Sequence, residues 1–200
     1  TTVVDGFYLA AAEAAALVSN GVQVPLTKKS IAGFAGIPPS IQRTQTRASK
    51  DALAKAGVCV VEQDRFGRLV VRHGLTTDYA GGVLAREISL VRGRDALYTA
   101  LQVGLDNSGL IGQAIDFETL TKVKGAVSGI LENASQREVI VAYQNLKVRQ
   151  RSEDPSVIEV KFEYTPEYPL NYIVVAFAVN VQSGDSTLAD ITSVNVTTAP

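Results

Sequence analysis

Residues 138–165 read EVIVAYQNLKVRQRSEDPSVIEVKFEYT, and this stretch decides the fold class. Two runs rich in β-branched and aromatic residues, 139–150 and 157–165, flank the turn sequence Ser-Glu-Asp-Pro-Ser at 152–156. In the second run apolar and charged residues alternate, which is the pattern of a strand with one buried face. The stretch therefore predicts two neighbouring strands that form an antiparallel pair.

The exposed face of this strand pair is predicted to carry charge. Lys147, Arg149 and Arg151 share one face of the first strand. An antiparallel pairing would bring these basic residues near Glu159 and Glu163 of the second strand. The sequence does not fix the register, so the individual ion pairs stay open.

Helical patterns precede the strands. Residues 94–105 place leucines along one stripe, and residues 117–136 predict a longer helix with Asp116 as its N-cap. The apolar face of the longer helix is predicted to consist of Phe117, Leu120, Val123, Val127, Ile130, Leu131 and Ala134. This face is expected to pack on the strands.

The N-terminal part begins with an alanine-rich segment. Residues 5–19 (DGFYLAAAEAAALVS) predict a helix with Asp5 as N-cap. Residues 20–40 are rich in glycine and proline, including the pair Pro38 and Pro39, and predict an extended loop.

A short helix and a hairpin follow this loop. Residues 49–57 predict a helix that Ser49 caps and Gly57 ends. The runs 58–61 and 69–72 are β-branched and are joined by a polar turn, which is the signature of a β-hairpin.

Residues 168–179 (YPLNYIVVAFAV) form the most apolar run of the chain. Such a run fits either a strand buried on both faces or a strand that a neighbouring chain covers. We expect residues 172–181 to be an interior strand, packed by the helix at 117–136. The tail that follows alternates apolar residues at Ile191, Val194 and Val196, which fits either an arm that adds a strand to another chain or a frayed terminus.

Composition excludes several classes of protein. The chain has 200 residues, of which 46% are hydrophobic and 20% charged, and its 19 basic side chains nearly balance 20 acidic ones. This balance gives no electrostatic reason to expect nucleic-acid binding. No apolar run approaches the roughly 18 residues that a membrane-spanning helix needs. We therefore expect a soluble protein.

The sequence offers little for catalysis or metal binding. His73 is the single histidine and is predicted to be a surface or half-buried structural residue. Cys59 is the single cysteine and is predicted to be a buried structural thiol in a strand. Asp116 and Glu118 are explained by their place in the first turn of a helix. No phosphate-binding loop or nucleophile motif is present, so we expect no cofactor, no metal and no catalytic set.

Four stretches together carry a family resemblance. They are RLVVRHGLTTD (68–78), REISLVRGRDAL (86–97), EVIVAYQNLKV (138–148) and PEYPLNYIVVAFAV (166–179). In this order they resemble the contractile tail sheath proteins of phages, and the resemblance extends over residues 5–183.

The resemblance implies a division of the chain. Residues 1–82 would be the C-terminal portion of a central sheath domain, 83–182 the conserved C-terminal domain, and 183–200 a C-terminal arm. The implied fold is α/β of the α+β kind. Its helices pack on a small mixed sheet, and a hairpin and an alanine-rich helix from a truncated central domain precede them. Sheath subunits are longer than this chain, so a fragment is expected.

The implied function is mechanical. A sheath subunit polymerises around an inner tube and contracts to drive the tube through the target cell envelope. The implied partners are further copies of the chain in stacked hexameric rings, the inner tail tube protein, and baseplate and tail terminator proteins. Direct nucleic-acid contact and membrane insertion are not expected. The implied location is the virion tail, after assembly in the host cytoplasm.

Two points stay open at this stage. In the family a basic element of the C-terminal domain meets an acidic tube, and Lys122 and Lys124 are the nearest candidates for this contact. A simple solvated helix face explains the two lysines equally well. The alternative to a sheath subunit is a small soluble α/β enzyme or ligand-binding domain.

Overall fold

The computed structural model describes residues 2–175. In chain order its elements are α1 (Gly6–Ser19), α2 (Pro39–Thr44), α3 (Arg47–Lys55), β1 (Val61–Gln63), β2 (Leu69–Val71), α4 (Val83–Arg86), α5 (Ile88–Asp106), α6 (Phe117–Gln136), β3 (Ile140–Gln150) and β4 (Ile158–Pro166). The mixture of helices with small antiparallel sheets confirms the predicted α+β class. Within these residues, no helix combines the length and the apolar character that crossing a membrane requires.

The predicted N-terminal hairpin is present as β1 and β2, although its first strand begins only at Val61. The two strands pair antiparallel, with Val61 opposite Val71. Part of the glycine- and proline-rich loop runs along the other edge of β2, where the Lys28 amide donates to the Val71 carbonyl at 2.7 Å and the Ile31 amide donates to the Leu69 carbonyl at 2.8 Å. The hairpin core consists of the buried side chains of Leu26, Ile31, Val61, Leu69 and Val71.

The alanine-rich helix α1 lies at the surface of the hairpin core. None of its residues is fully buried, and Leu9, Ala12 and Leu17 are those that pack on the core. Asp5 occupies the predicted N-cap position, but its side chain accepts no capping hydrogen bond. Helix α1 also leaves large apolar side chains such as Val18 exposed.

Helix α3 begins at Arg47, and its cap is Thr46, three residues before the predicted cap Ser49. The Ser49 amide donates to Thr46 Oγ1 at 3.2 Å. Gly57 ends the helical region as predicted and has a φ of +74°. A Cβ at Gly57 would lie 2.6 Å from the Thr77 carbonyl oxygen, so both the conformation and the space favour glycine.

The C-terminal helices and strands share a second core. It consists of Leu97, Val123, Val127, Leu131, Ala134 and Ile140. Helix α5 starts six residues before the predicted position, and its first turns bury Ser89, Leu90 and Gly93. Ile88, at the start of α5, packs on the hairpin core, whereas Leu97 belongs to the second core. One helix therefore joins the two cores. A domain boundary after residue 82 remains a prediction.

Helix α6 has the predicted bounds and the predicted cap. The Thr119 amide donates to Asp116 Oδ1 at 2.7 Å, and this bond holds the pKa of the Asp116 carboxyl below its ordinary value. Phe117 is 86% exposed, so its assignment to the apolar face is wrong. Thr119 is buried instead, because residues 119, 123 and 127 follow the helical repeat on the side that faces the core.

Strands β3 and β4 form the predicted antiparallel pair, with a bulge in β3. The register shifts between Gln144 and Lys147, and Asn145 there has a φ of +58°. The extra residue shifts the alternation of inward and outward side chains by one position after the bulge. As a result, Leu146 and Val148 pack on the core while Lys147 stays exposed.

The charged face of this pair contains one of the ion pairs that the sequence allowed. Arg149 Nη2 lies 2.7 Å from Glu159 Oε2, and Lys161 Nζ lies 3.1 Å from Glu159 Oε1. Glu163 accepts from the side-chain amides of Gln144 and Asn145, at 3.1 and 2.9 Å, and not from a basic residue. The bulge brings these amides opposite Glu163.

The prediction of an interior strand at 172–181 is wrong for its first four residues. Residues 172–175 form no strand, and Ile173 and Val174 are 68% and 69% exposed. Residues 176–181 lie outside the described part of the chain. Apolar character alone therefore did not predict whether these side chains are buried within residues 2–175.

Candidate assembly surface

The single histidine is a buried structural residue. His73 is 5% exposed, so the expected surface or half-buried position is wrong. Its Nε2 lies 2.7 Å from Glu87 Oε1, and Glu87 is itself only 2% exposed. Across residues 2–175, no three side chains among histidine, cysteine, aspartate and glutamate are grouped as a metal site requires.

The single cysteine lies just before β1 and is half-buried, not in a strand as predicted. Cys59 Sγ donates a hydrogen bond to the His73 carbonyl oxygen at 3.3 Å. Burial, together with the neighbouring Glu13 carboxyl group, raises the pKa of the Cys59 thiol to about 12. At neutral pH this thiol is a poor nucleophile, since the reactive species is the thiolate.

The β3–β4 sheet has two open edges. Each strand has the other as its only partner in the described residues, so one edge of each is unpaired. An unpaired edge presents a row of backbone N–H and C=O groups to which a further strand can bond. The sheet is therefore able to accept strands from outside residues 2–175.

An exposed apolar segment follows β4. Residues 168–175, termed the exit segment, lead from β4 to the part of the chain outside the described residues. Leu170 is 75% exposed, and Tyr168 and Val175 are 58% and 54% exposed. Tyr172 is less exposed, at 38%, and places its ring edge-on to His73. The remaining side chains form a surface that another element can cover.

Both candidate tube-contact lysines lie exposed on α6, but on different sides. Residues two apart on a helix are separated by roughly 200°, so Lys122 and Lys124 cannot face one flat partner together. Lys122 Nζ lies 2.7 Å from Glu118 Oε1, which partly neutralises it. Lys122 follows the same helical stripe as Gly125, Ala126 and Gly129, which line a groove between α5 and α6.

This groove has a volume of about 780 Å³. Its lining residues are mostly small or aliphatic: Val22, Gln23, Ala96, Leu97, Ala100, Gly125, Ala126, Gly129, Ile130, Asn133, Ala134, Arg137 and Val139. The polar members are Gln23, Asn133 and Arg137, and Gln23 Nε2 donates to the Arg137 carbonyl oxygen at 3.2 Å. The lining therefore contains a single ionisable side chain, which does not amount to an acid–base pair.

The arm residues Ile191, Val194 and Val196 lie outside the described part of the chain. Their pairing with another chain stays a prediction. The Glu87, His73 and Tyr172 cluster was not predicted, because its members are far apart in sequence and follow no local pattern.

Comparison with known proteins identifies relatives over nearly the whole chain. No family model matches it. The chain is 37% identical over 185 residues, 92% of its length, to the tail sheath protein of Mycobacterium phage Bxz1. It is 29% identical over 143 residues, 70% of its length, to the tail sheath protein of Bacillus phage SP01. It spans 31% and 24% of these two relatives.

A solved structure has the same fold. A chain in the cryo-EM structure of the anti-feeding prophage baseplate, six-fold symmetrised, matches 86% of this chain with a TM-score of 0.68 and 15% identity. The match covers 49% of that chain. Sequence identity and coverage together confirm the resemblance: over nearly its whole length, the chain is a homologue of phage tail sheath proteins.

Proposed function

We propose that the chain is part of a structural subunit of a contractile tail sheath. In this role it polymerises around an inner tube and contracts to drive the tube through the target cell envelope. The observation that carries the proposal is the similarity, over nearly the whole chain, to proteins named as tail sheath proteins. The names of these relatives favour a structural role over an enzymatic one.

The proposed partners are those of a sheath. Further copies of the chain form stacked hexameric rings, and the inner tail tube protein lies inside them. Baseplate and tail terminator proteins contact the ends of the polymer. The protein is accordingly a component of the virion tail, assembled in the host cytoplasm, with no direct contact to nucleic acid and no insertion into a membrane.

Strand exchange is the proposed link between subunits. Residues 184–198 leave their own domain and pair with a neighbouring copy. Two features support this link: the open edges of the β3–β4 sheet, and the exposed exit segment that leads toward residues 184–198. Backbone hydrogen bonds depend little on side-chain identity, so such a link persists while neighbouring subunits rotate.

A tube contact through α6 is proposed for only one of its two lysines. Because Lys122 and Lys124 lie on different sides of the helix, we expect charge reversal at one position to weaken tube attachment and reversal at the other to leave it unchanged. Co-sedimentation of Lys122→Glu and Lys124→Glu sheath with purified tube measures this, and each variant is the control for the other. Unchanged attachment in both variants removes α6 from the contact.

The alternative, a small soluble α/β enzyme or ligand-binding domain, is not favoured. It requires buried polar groups that converge on a cavity. The α5–α6 groove instead has a mainly small and aliphatic lining. The relatives provide no support for it either.

Sedimentation combined with electron microscopy tests the proposed function. The protein, expressed with its natural ends, is expected to form rings or tubes whose amount rises with concentration. A protein that stays monomeric at all concentrations, with its fold intact by circular dichroism, contradicts the proposal.

A further inference from the structure

A chain of hydrogen-bonded polar groups, two of them buried, links the exit segment to the hairpin core. Glu87 Oε1 lies 2.7 Å from His73 Nε2, and His73 Nδ1 lies 3.2 Å from the Tyr172 hydroxyl. The His73 and Glu87 side chains are 6% and 2% exposed. The rings of His73 and Tyr172 meet edge to face, with centroids 5.9 Å apart and planes at 87°.

The chemistry of the three groups assigns a direction to these bonds. With Glu87 as a carboxylate, which only accepts hydrogen bonds, His73 Nε2 donates to it. In the neutral tautomer that carries its proton on Nε2, Nδ1 accepts from the Tyr172 hydroxyl. Burial, and next the Glu87 carboxylate, raise the pKa of the Tyr172 phenol, which keeps this hydroxyl protonated.

Asn171, the residue before Tyr172, forms a hydrogen bond in the same part of the molecule. Thr27 Oγ1 donates to Asn171 Oδ1 at 2.9 Å and accepts from the Gly74 amide at 3.4 Å. Gly74 is closely packed, since a Cβ there would lie 3.1 Å from both Leu26 Cβ and Ile88 Cγ2 and these neighbours would have to shift. Two consecutive residues of the exit segment therefore bind the same part of the molecule, beside the hairpin core.

The rest of the exit segment lacks comparable contacts. Leu170 on one side and Ile173 on the other are 75% and 68% exposed. The segment is thus attached through directional polar bonds at 171–172 and not through apolar burial. Polar bonds of this kind fix a position while leaving the apolar side chains available to another surface.

We propose that Asn171 and Tyr172 form an anchor on the hairpin core that sets the point from which the C-terminal segment leaves the subunit. Glu87 acts through His73 as a positioning residue, because it fixes the tautomer that accepts from Tyr172. The inference rests on the proposed function, since the anchored segment leads to the residues proposed to link subunits. The linking segment then starts from the hairpin core and not from the edge of the β3–β4 sheet.

The anchor is tested first in the unassembled protein. Spin labels at Ala52→Cys and Val174→Cys, in a Cys59→Ser background, report the distance between α3 and the exit segment by pulsed electron paramagnetic resonance. Tyr172→Phe keeps the ring and removes only the hydroxyl. We expect the ratio of anchored to released molecules to fall about fivefold, as loss of one net hydrogen bond predicts.

Two further variants complete this test. Asn171→Ala is expected to have the same effect, and Tyr168→Phe, at an exposed position of the same segment, is expected to have none. The nitrogen chemical shifts of His73 should show Nδ1 as an acceptor in the wild type and a changed environment for Nδ1 in Tyr172→Phe. An unchanged distance distribution and unchanged His73 shifts in Tyr172→Phe overturn the anchor.

An assembly experiment then tests the anchor separately from the proposed sheath function. If the wild type forms tubes, Tyr172→Phe is expected to form them at a critical concentration several times higher, and an unchanged critical concentration overturns the role of the anchor in assembly. If the wild type forms no tubes while the distances change as expected, the anchor is supported and the sheath function is contradicted.

Discussion

At the scale of single residues, long-range polar contacts stabilise the hairpin core. Glu62 of β1 binds Lys28 from the loop and Lys50 from α3, each at 2.7 Å. These contacts join residues that are distant in the sequence, which is why no local pattern predicted them. The same holds for His73, whose type suggested a structural role but whose burial follows from partners at positions 87 and 172.

The Glu62 contacts should give stability a defined pH dependence. Burial opposes ionisation of Glu62, but the bonds to Lys28 and Lys50 outweigh it and hold the pKa of this carboxyl below its ordinary value of 4.5. A lowered pKa in the folded state means that the contribution is present above the unfolded-state pKa and is lost as the pH falls through the folded-state pKa.

Glu62→Gln should therefore lower the free energy of unfolding by about 1–2 kcal/mol at pH 7, and by much less near pH 3. Urea denaturation at both pH values measures this. Glu118→Gln is the control, because the Glu118 side chain is 74% exposed in its pair with Lys122. An equal loss at both pH values would show that ionisation of Glu62 contributes nothing.

The Cys59 thiol should react slowly with alkylating reagents in the folded protein. With a pKa of about 12, its thiolate fraction at pH 8 is on the order of a thousandfold below that of an ordinary thiol. Alkylation by iodoacetamide, followed by mass spectrometry, should be slow in buffer and fast in urea. Glu13→Gln should accelerate it in the folded state. Equal rates in buffer and urea would contradict this environment.

At the scale of elements, the sequence predicted the helix and strands whose apolar side chains pack against other residues of the same chain. The helix at 117–136 and the strands at 139–150 and 157–165 have strong periodic patterns, and the structure contains them with nearly the same bounds. The first turns of α5 were missed because Arg92, Gly93 and Arg94 interrupt its apolar pattern. Tertiary contact with the hairpin core supports these turns instead.

A matched pair of variants on α6 tests which of its side chains pack on the core. Leu131 is fully buried in the second core, and Phe117 is 86% exposed on the same helix. We expect Leu131→Ala to lower the free energy of unfolding by about 2–5 kcal/mol. Phe117→Ala should change it by less than about 0.5 kcal/mol. Chemical denaturation measures both, and a comparable loss for the two variants would contradict the packing of α6.

At the scale of the whole molecule, α5 couples two cores, and the apolar side chains of residues 173–175 are exposed. Arg92 Nη2 donates to the Asn20 carbonyl oxygen at 3.3 Å, which adds a polar contact between α5 and the N-terminal part. The exit segment could not be placed from sequence, because most of its large apolar side chains stay exposed within residues 2–175 and its contacts are to residues distant in the sequence.

We propose that residues 184–198 link subunits into a sheath. The most direct test of this link is electron microscopy of the protein with its natural ends, compared with a variant that lacks residues 184–200. We expect rings or tubes from the wild type, and single particles with an unchanged melting temperature from the variant. Normal tubes formed by the variant would contradict the claim.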